Sequence, residues 1–219
     1  MIKSKKLLYL SLFLFVASLV LNLPFPHNHS FGETIVSVFN IPIRSVNGLH
    51  YVGMISLALL IASLYFLTKS INNYHGRAVL LAIMVAIFAP SIIISSYQKT
   101  FATGIYAVSY ERHLSNCEFN MIDDKTLHGE CAVPLINYSN DEVRFTIEFY
   151  EEYFFEHDIQ MVALMNTNGP YKVRLNGHES NTVKIETDID VSNIENHVQQ
   201  GSATGVNIII KSGGKTRKL

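Results

Sequence analysis

Acidic side chains are almost missing from the first 99 residues, where Glu33 stands alone against seven lysines and arginines, a net charge of +6. Residues 100–219 reverse the balance, with 10 basic and 17 acidic side chains and a net charge of −7. The overall value of −1 therefore averages a cationic half with an anionic one. An anionic half is unsuited to nucleic acid, which requires a basic face. Beyond the terminal group Lys211, Lys215, Arg217 and Lys218, no basic patch is expected away from the membrane. Tryptophan is absent, so tyrosine must supply any interfacial aromatic belt, and Tyr9, Tyr51, Tyr65 and Tyr97 fall near the ends of apolar runs. Catalytic signatures are missing as well: there is no G-x-S-x-G, H-E-x-x-H, P-loop or G-x-G-x-x-G.

Long apolar runs are what the first half does contain. Three windows free of Asp, Glu, Lys and Arg cover residues 7–32, 45–68 and 78–98. Crossing the hydrocarbon core takes about 20 mostly apolar residues as a helix, and a buried helix of a soluble bundle would show a polar stripe that these lack. The expectation is three membrane spans at about 7–23, 49–68 and 78–97, with an outer loop at 24–48. The first run follows a basic MIKSKK segment and invites comparison with a signal peptide, but its length and the lack of an A-x-A site favour a retained span. Pro90 lies inside the third window, with Ser91, Ser95 and Ser96 able to satisfy carbonyls that it frees. Lys3, Lys5 and Lys6 before the first span, and Lys69 and Arg77 between the second and third, place the N-terminus inside. Everything after Tyr97 is then outside. The loop segment TIVSVFNIPIRSV is apolar but too short to span, so it is expected at the interface or against the span ends.

From about Ile105 the apolar period changes to two. Short strands are expected at IYAVSYER, CEFNMI, LHGECAVPLINY, EVRFTIEFY, IQMVALM, YKVRLN, NTVKIETDI and GVNIIIKS. In the clearest of them Val143, Phe145, Ile147 and Phe149 face inward, with Arg144, Thr146 and Glu148 outward. Turn chemistry separates the strands at 137–140, 168–170, 176–177 and 213–214. Such a series predicts an all-β antiparallel sandwich over 100–219. The stretch VPLINYSNDEVRFTIEF resembles the strand–turn–strand unit of immunoglobulin-like domains on bacterial envelope proteins, a resemblance confined to 133–149 that implies a fold class rather than an activity.

Cys117 and Cys131 are the only cysteines. A hairpin turning at Asp123-Asp124-Lys125 would set them directly opposite each other, as it would 119 and 129. That register satisfies the Cα separation a disulfide needs, and an oxidising compartment favours the bridge. The rival arrangement is a zinc site drawn from His113, Cys117, His128 and Cys131, but a hairpin turns His128 to the opposite face from the other three.

Two further clusters carry candidate chemistry. His27, His29 and His50 gather imidazoles near the outer face, where transition-metal binding competes with ordinary solvated loop positions. Residues 148–158, EFYEEYFFEHD, hold five acids and five aromatics. Glu148, Glu151, Glu152, Glu156, His157 and Asp158 form a possible contact surface; a calcium loop would show glycine-punctuated spacing that this stretch lacks. Apart from His50 at the start of the second, the spans carry no ionisable side chain of the kind that marks ion paths.

The sequence thus predicts three transmembrane helices in residues 1–99 followed by an extracytoplasmic immunoglobulin-like β-sandwich in 100–219. The expected protein is a multi-pass plasma-membrane protein, N-terminus cytoplasmic, whose partners are the lipid bilayer and a protein of the envelope. It is expected to be a non-enzymatic binding module, with neither cofactor nor resident metal. The alternative is a membrane subunit of a transporter or sensor complex in which the spans, with small residues at Gly53, Ser56, Ala58, Ala62 and Ser63, carry the function.

Overall fold

A computed structural model describes residues 2–27, 29–39, 50–151, 161–194 and 197–219. The chain divides into two units, Met1–Ser96 and Tyr97–Leu219, each built on its own logic.

The first unit is helical. Helix α1 (Lys5–Leu21) starts where the Ser4 hydroxyl accepts from the Leu7 amide at 3.5 Å, and it ends at Asn22, two residues before Pro24. Helix α2 (Phe31–Val38) is short, α3 runs Tyr51–Ser70 and α4 runs His75–Thr100 without a break at Pro90. Among the described residues two helices, α3 with 20 residues and α4 with 26, are long and apolar enough to cross a membrane. The expected first span is not among them: α1 has 17 residues, two of them Lys5 and Lys6. At about 1.5 Å per residue such a helix is roughly 26 Å long, short of the roughly 30 Å hydrocarbon core. Its caps, set by Ser4 and the Asn22–Pro24 segment, are the physical reason. The second and third helices also shift from the expected 49–68 and 78–97.

Helices α1 and α3 lie antiparallel and meet through serine. The Ser11 hydroxyl donates to the Ser63 carbonyl at 2.9 Å, and that of Ser63 returns to the Ser11 carbonyl at 2.9 Å. The Ser18 hydroxyl donates to the Ser56 carbonyl at 3.0 Å, and the reverse bond is 3.3 Å. A third rung uses the chain end, where the amides of Lys3 and Ser4 donate to the Ser70 carbonyl at 2.7 and 3.2 Å. Asn22 joins the same seam, donating to the Ser18 carbonyl and to the Ser56 hydroxyl. These serines are buried, while Leu12, Phe13, Val16, Leu57 and Ile61 are exposed. In α4 the buried residue is Pro90. Helix α2 sits against both neighbours at Gly32, where a Cβ would come within 2.6 Å of Val52 and 3.1 Å of Leu21, so only glycine permits the approach. Phe31, Ile35 and Phe39 leave an apolar stripe exposed along it.

Among its described residues the second unit forms nine antiparallel strands in two sheets. In the first, the long strand β3 (Thr126–Asn137) pairs along one edge with β6 (Ser180–Asp190). Its other edge takes β2 (Asn116–Met121) and then β1 (Val108–Tyr110), and β7 (Gln200–Thr204) pairs outside β2. The second sheet has the order β5 (Tyr171–Leu175), β4 (Val143–Tyr150), β8 (Asn207–Ser212), β9 (Lys215–Lys218). Phe119, Leu127, Val133 and Ile185 of one sheet and Phe145, Ile147, Ile208 and Ile210 of the other belong to one buried cluster. Val143, Phe145, Ile147 and Phe149 all point into it. Gly129 faces the same core and leaves room for Met165, whose sulfur would lie 2.6 Å from a Cβ there.

Several expected elements change. IQMVALM is not a strand over its described part: Val162–Asn168 forms a 3₁₀ turn that plugs the core with Val162, Leu164 and Met165. Asn166 explains the choice. Its amide donates to the Phe149 carbonyl at 2.6 Å and accepts from the Phe149 amide at 2.8 Å, replacing a strand beyond the end of β5. Strands β7 (QGSAT) and β9 (KTRK) were not expected, because neither shows apolar alternation; backbone pairing at the sheet margins makes them strands. Arg217 in β9 is buried, not part of a surface tail, and donates to the Ile105 and Val108 carbonyls at 2.6 and 2.7 Å. Burial pulls its guanidinium down to about 10, so it remains a cation at neutral pH.

Candidate functional site

The two sheets carry opposite charge on their outer faces. On the first, Glu118, Glu130 and Glu186 lie directly across from one another on β2, β3 and β6. Like charges on one rung destabilise a sheet, and Lys184 offsets this at 3.8 Å from Glu130. On the second, Arg144 faces Arg174, and Thr146 faces Lys172 on one side and Lys211 on the other. The small threonine between two lysines leaves a depression of about 520 Å³, lined also by Ser212 and Gly213 of the β8–β9 turn.

Three of the four cations of this depression are held by carboxylates. Glu142 receives Arg174 Nη2 at 2.6 Å and is also paired with Arg144 Nε. The Arg144 hydrogen bond holds the Glu142 carboxyl below the usual carboxylate range. Lys211 Nζ donates to both oxygens of Glu148, at 2.7 and 2.6 Å. The Ser212 hydroxyl donates to the Arg144 carbonyl at 2.7 Å. Among the described residues Lys172 is in no ion pair. Four cations against two carboxylates leave the face positive within a strongly acidic half. The expectation that no basic patch exists beyond the terminal group is therefore corrected. Its members are far apart in sequence and converge only when β4, β5 and β8 pair.

The other singled-out residues divide. Cys117 and Cys131 are paired across the β2–β3 hairpin, both fully buried, with sulfurs at the disulfide distance of 1.92 Å. The turn at 123–125 is closed by Asp123, whose carboxylate accepts from the Lys125 and Thr126 amides at 2.8 Å each. Those bonds, the Lys125 amide foremost, hold its carboxyl below the usual range. His128 points to the other face and contacts Asp188 at 2.6 Å, away from the two sulfurs. His29 and His50 approach the two oxygens of Glu33 at 3.5 and 3.6 Å. Among the described residues no group of three or more His, Cys, Asp or Glu side chains is arranged to hold a metal ion.

Of the acidic contact surface, Glu148 is paired with Lys211, and Glu151 accepts from the Val162 amide at 2.9 Å and from those of Met161 and Ala163 at 3.3 Å. Glu151 thus anchors the start of the 3₁₀ turn. Glu152, Glu156, His157 and Asp158 lie outside the described residues. The disulfide joins neighbouring strands of one sheet, whereas the immunoglobulin bridge crosses between sheets. Comparison with protein-family models, curated proteins and solved structures finds no match.

Proposed function

We propose that this protein is a multi-pass integral membrane protein that presents its β unit outside the cytoplasm as a non-enzymatic binding module of the cell envelope. The observation that carries the membrane half is the inverted burial of α1 and α3, with serine inside and leucine, phenylalanine and isoleucine outside. In water this arrangement loses the main driving force of folding; in lipid it is favourable, because close-packed small residues and interhelical hydrogen bonds join the helices. The ladder ties α1 to α3 along most of its length, so α1 crosses beside α3 as the third span despite its 17 residues. The Lys/Arg bias then sets the N-terminus inside. The β unit, closed by a buried cystine and charged on both outer faces, suits an oxidising exterior.

The test uses the two native cysteines in intact cells. An impermeant thiol reagent should label the chain only after reduction and mild unfolding, since both sulfurs are buried. Labelling that requires lysis instead would place the β unit inside and sink the orientation. An impermeant crosslinker on the same cells should capture a discrete partner through the β unit; a monomer under all conditions would sink the contact role. A second reading, in which the spans belong to a larger membrane assembly, is favoured by α4, whose apolar side chains from Leu80 to Ile93 are largely exposed. Replacing α4 by an unrelated span separates the two, because partner capture survives it only in the first.

A further inference from the structure

We propose that the depression on the outer face of β5, β4 and β8 is a binding groove for an acidic polysaccharide, one bearing carboxylates at regular intervals. This deepens the reading of the β unit as an exterior binding module and rests on it.

Two successive rungs of the sheet each carry a pair of cations, Arg144 with Arg174 and Lys172 with Lys211. Arg144 and Arg174 are directly opposed, which costs stability in an unliganded sheet, and Lys172 and Lys211 flank Thr146 on the two neighbouring strands, so the face holds electrostatic potential that an anion would relieve. The rungs are about 6.8 Å apart along the strands, at about 3.4 Å per residue, and neighbouring strands are about 4.8 Å apart. The result is a grid of positive charge rather than one point, which suits a chain of repeated anions. Arg144 turns its Nε to Glu142 and Arg174 its Nη2, leaving the rest of each guanidinium fork for an incoming carboxylate. Lys172 brings an ammonium that no described ion pair neutralises.

Sugar hydroxyls have partners in the same place. The Ser212 hydroxyl donates to the Arg144 carbonyl, so its oxygen is left to accept, and Thr146 supplies a second hydroxyl at the floor. The groove lies on the face of the sheet and not along the free edge of β5, so an acidic peptide would gain no strand pairing there. The acidic rung Glu118–Glu130–Glu186 on the opposite face repels a polyanion and confines it to one side.

The experiment uses the full chain in nanodiscs of neutral lipid, with polygalacturonate as probe and neutral dextran as control, read by biolayer interferometry. Wild type should bind polygalacturonate and not dextran. The affinity should fall at least about 10-fold when salt is raised from about 50 to about 300 mM. The double reversal Lys172→Glu with Arg174→Glu should remove at least about 10-fold, and Lys172→Gln, which disturbs no described ion pair, about 3-fold. Glu186→Lys on the opposite face should not weaken binding. No binding at low salt, binding that both variants of the groove retain, or equal binding of dextran would each overturn the proposal. Stronger binding to anionic phosphatidylglycerol vesicles than to the polymer would assign the groove to lipid headgroups and overturn it too. Because the measurement is on purified protein, its failure leaves the membrane orientation standing, and a failed thiol-labelling test leaves the groove result standing.

Discussion

The two units bury opposite kinds of side chain. In the helical unit the α1–α3 seam is serine and asparagine, and the leucines and phenylalanines face outward. In the β unit phenylalanine, isoleucine and leucine fill the centre, and the outer faces carry arginine, lysine and glutamate. With the helical unit in lipid, as proposed above, both arrangements follow one rule applied in two solvents. Where the surroundings are apolar, hydrogen bonds and close packing are what a contact can gain, and serine allows both. Where the surroundings are water, removing apolar surface is the larger gain and buried polar groups must be paired.

That comparison breaks first in the β core. Ile147→Ala should cost about 2–5 kcal/mol, because the residue is fully buried between the sheets. The cost is measured by denaturation of the full chain in micelles, following the β unit. The cystine comes next: replacing Cys117 and Cys131 by alanine releases a loop with a sequence separation of 14 and should remove about 3 kcal/mol. Asn137, fully buried, donates to the Asp141 and Asn176 carbonyls at 2.9 and 2.8 Å. Asn137→Ala orphans those acceptors and should cost about 1–3 kcal/mol.

On the helical side truncation costs less and enlargement costs more. Ser18→Ala should cost only about 0.6 kcal/mol of α1–α3 association, since the hydrogen bond is lost but the close approach is kept. Ser18→Leu at the same place should separate the helices, seen as lost crosslinking between cysteines introduced into α1 and α3. If both substitutions behave alike, the seam is not what joins them.

The smallest effect at neutral pH becomes visible in alkali. Burial pushes the Tyr110 phenol up to about 12, and its hydroxyl donates to the Val206 carbonyl at 2.6 Å. With a folded value above the unfolded value of about 10, its contribution is fully present below pH 10 and is lost as pH rises towards 12. Tyr110→Phe should flatten that part of the melting profile. Arg217, depressed by burial, acts with the opposite sign in the same window, but it is common to both proteins, so their difference isolates the phenol.

Much of the β unit was legible from alternation. The hairpin register that sets Cys117 opposite Cys131 and Phe119 opposite Gly129 follows from the turn position alone, because side chains in a strand repeat every two residues. The serine seam had a signal that the reading of small residues caught only in part: Ser4, Ser11 and Ser18 recur every seven residues, as do Ser56, Ser63 and Ser70. A heptad spacing keeps one face of a helix towards a neighbour. What alternation missed were β7 and β9, held by backbone pairing, and the 3₁₀ turn at Val162–Asn168, where the side chain of Asn166 takes over a strand's hydrogen bonds.

The sequence by itself determined the long helices and most of the strands, which face of those strands is buried, and the charge separation between the two halves. Those properties are local, set by periodicity over a few residues and by composition. Only the tertiary structure decided that Arg144, Lys172, Arg174 and Lys211 share one depression while Glu118, Glu130 and Glu186 share the opposite face. Strand pairing joins residues many positions apart, and no local period records which strand will lie beside which.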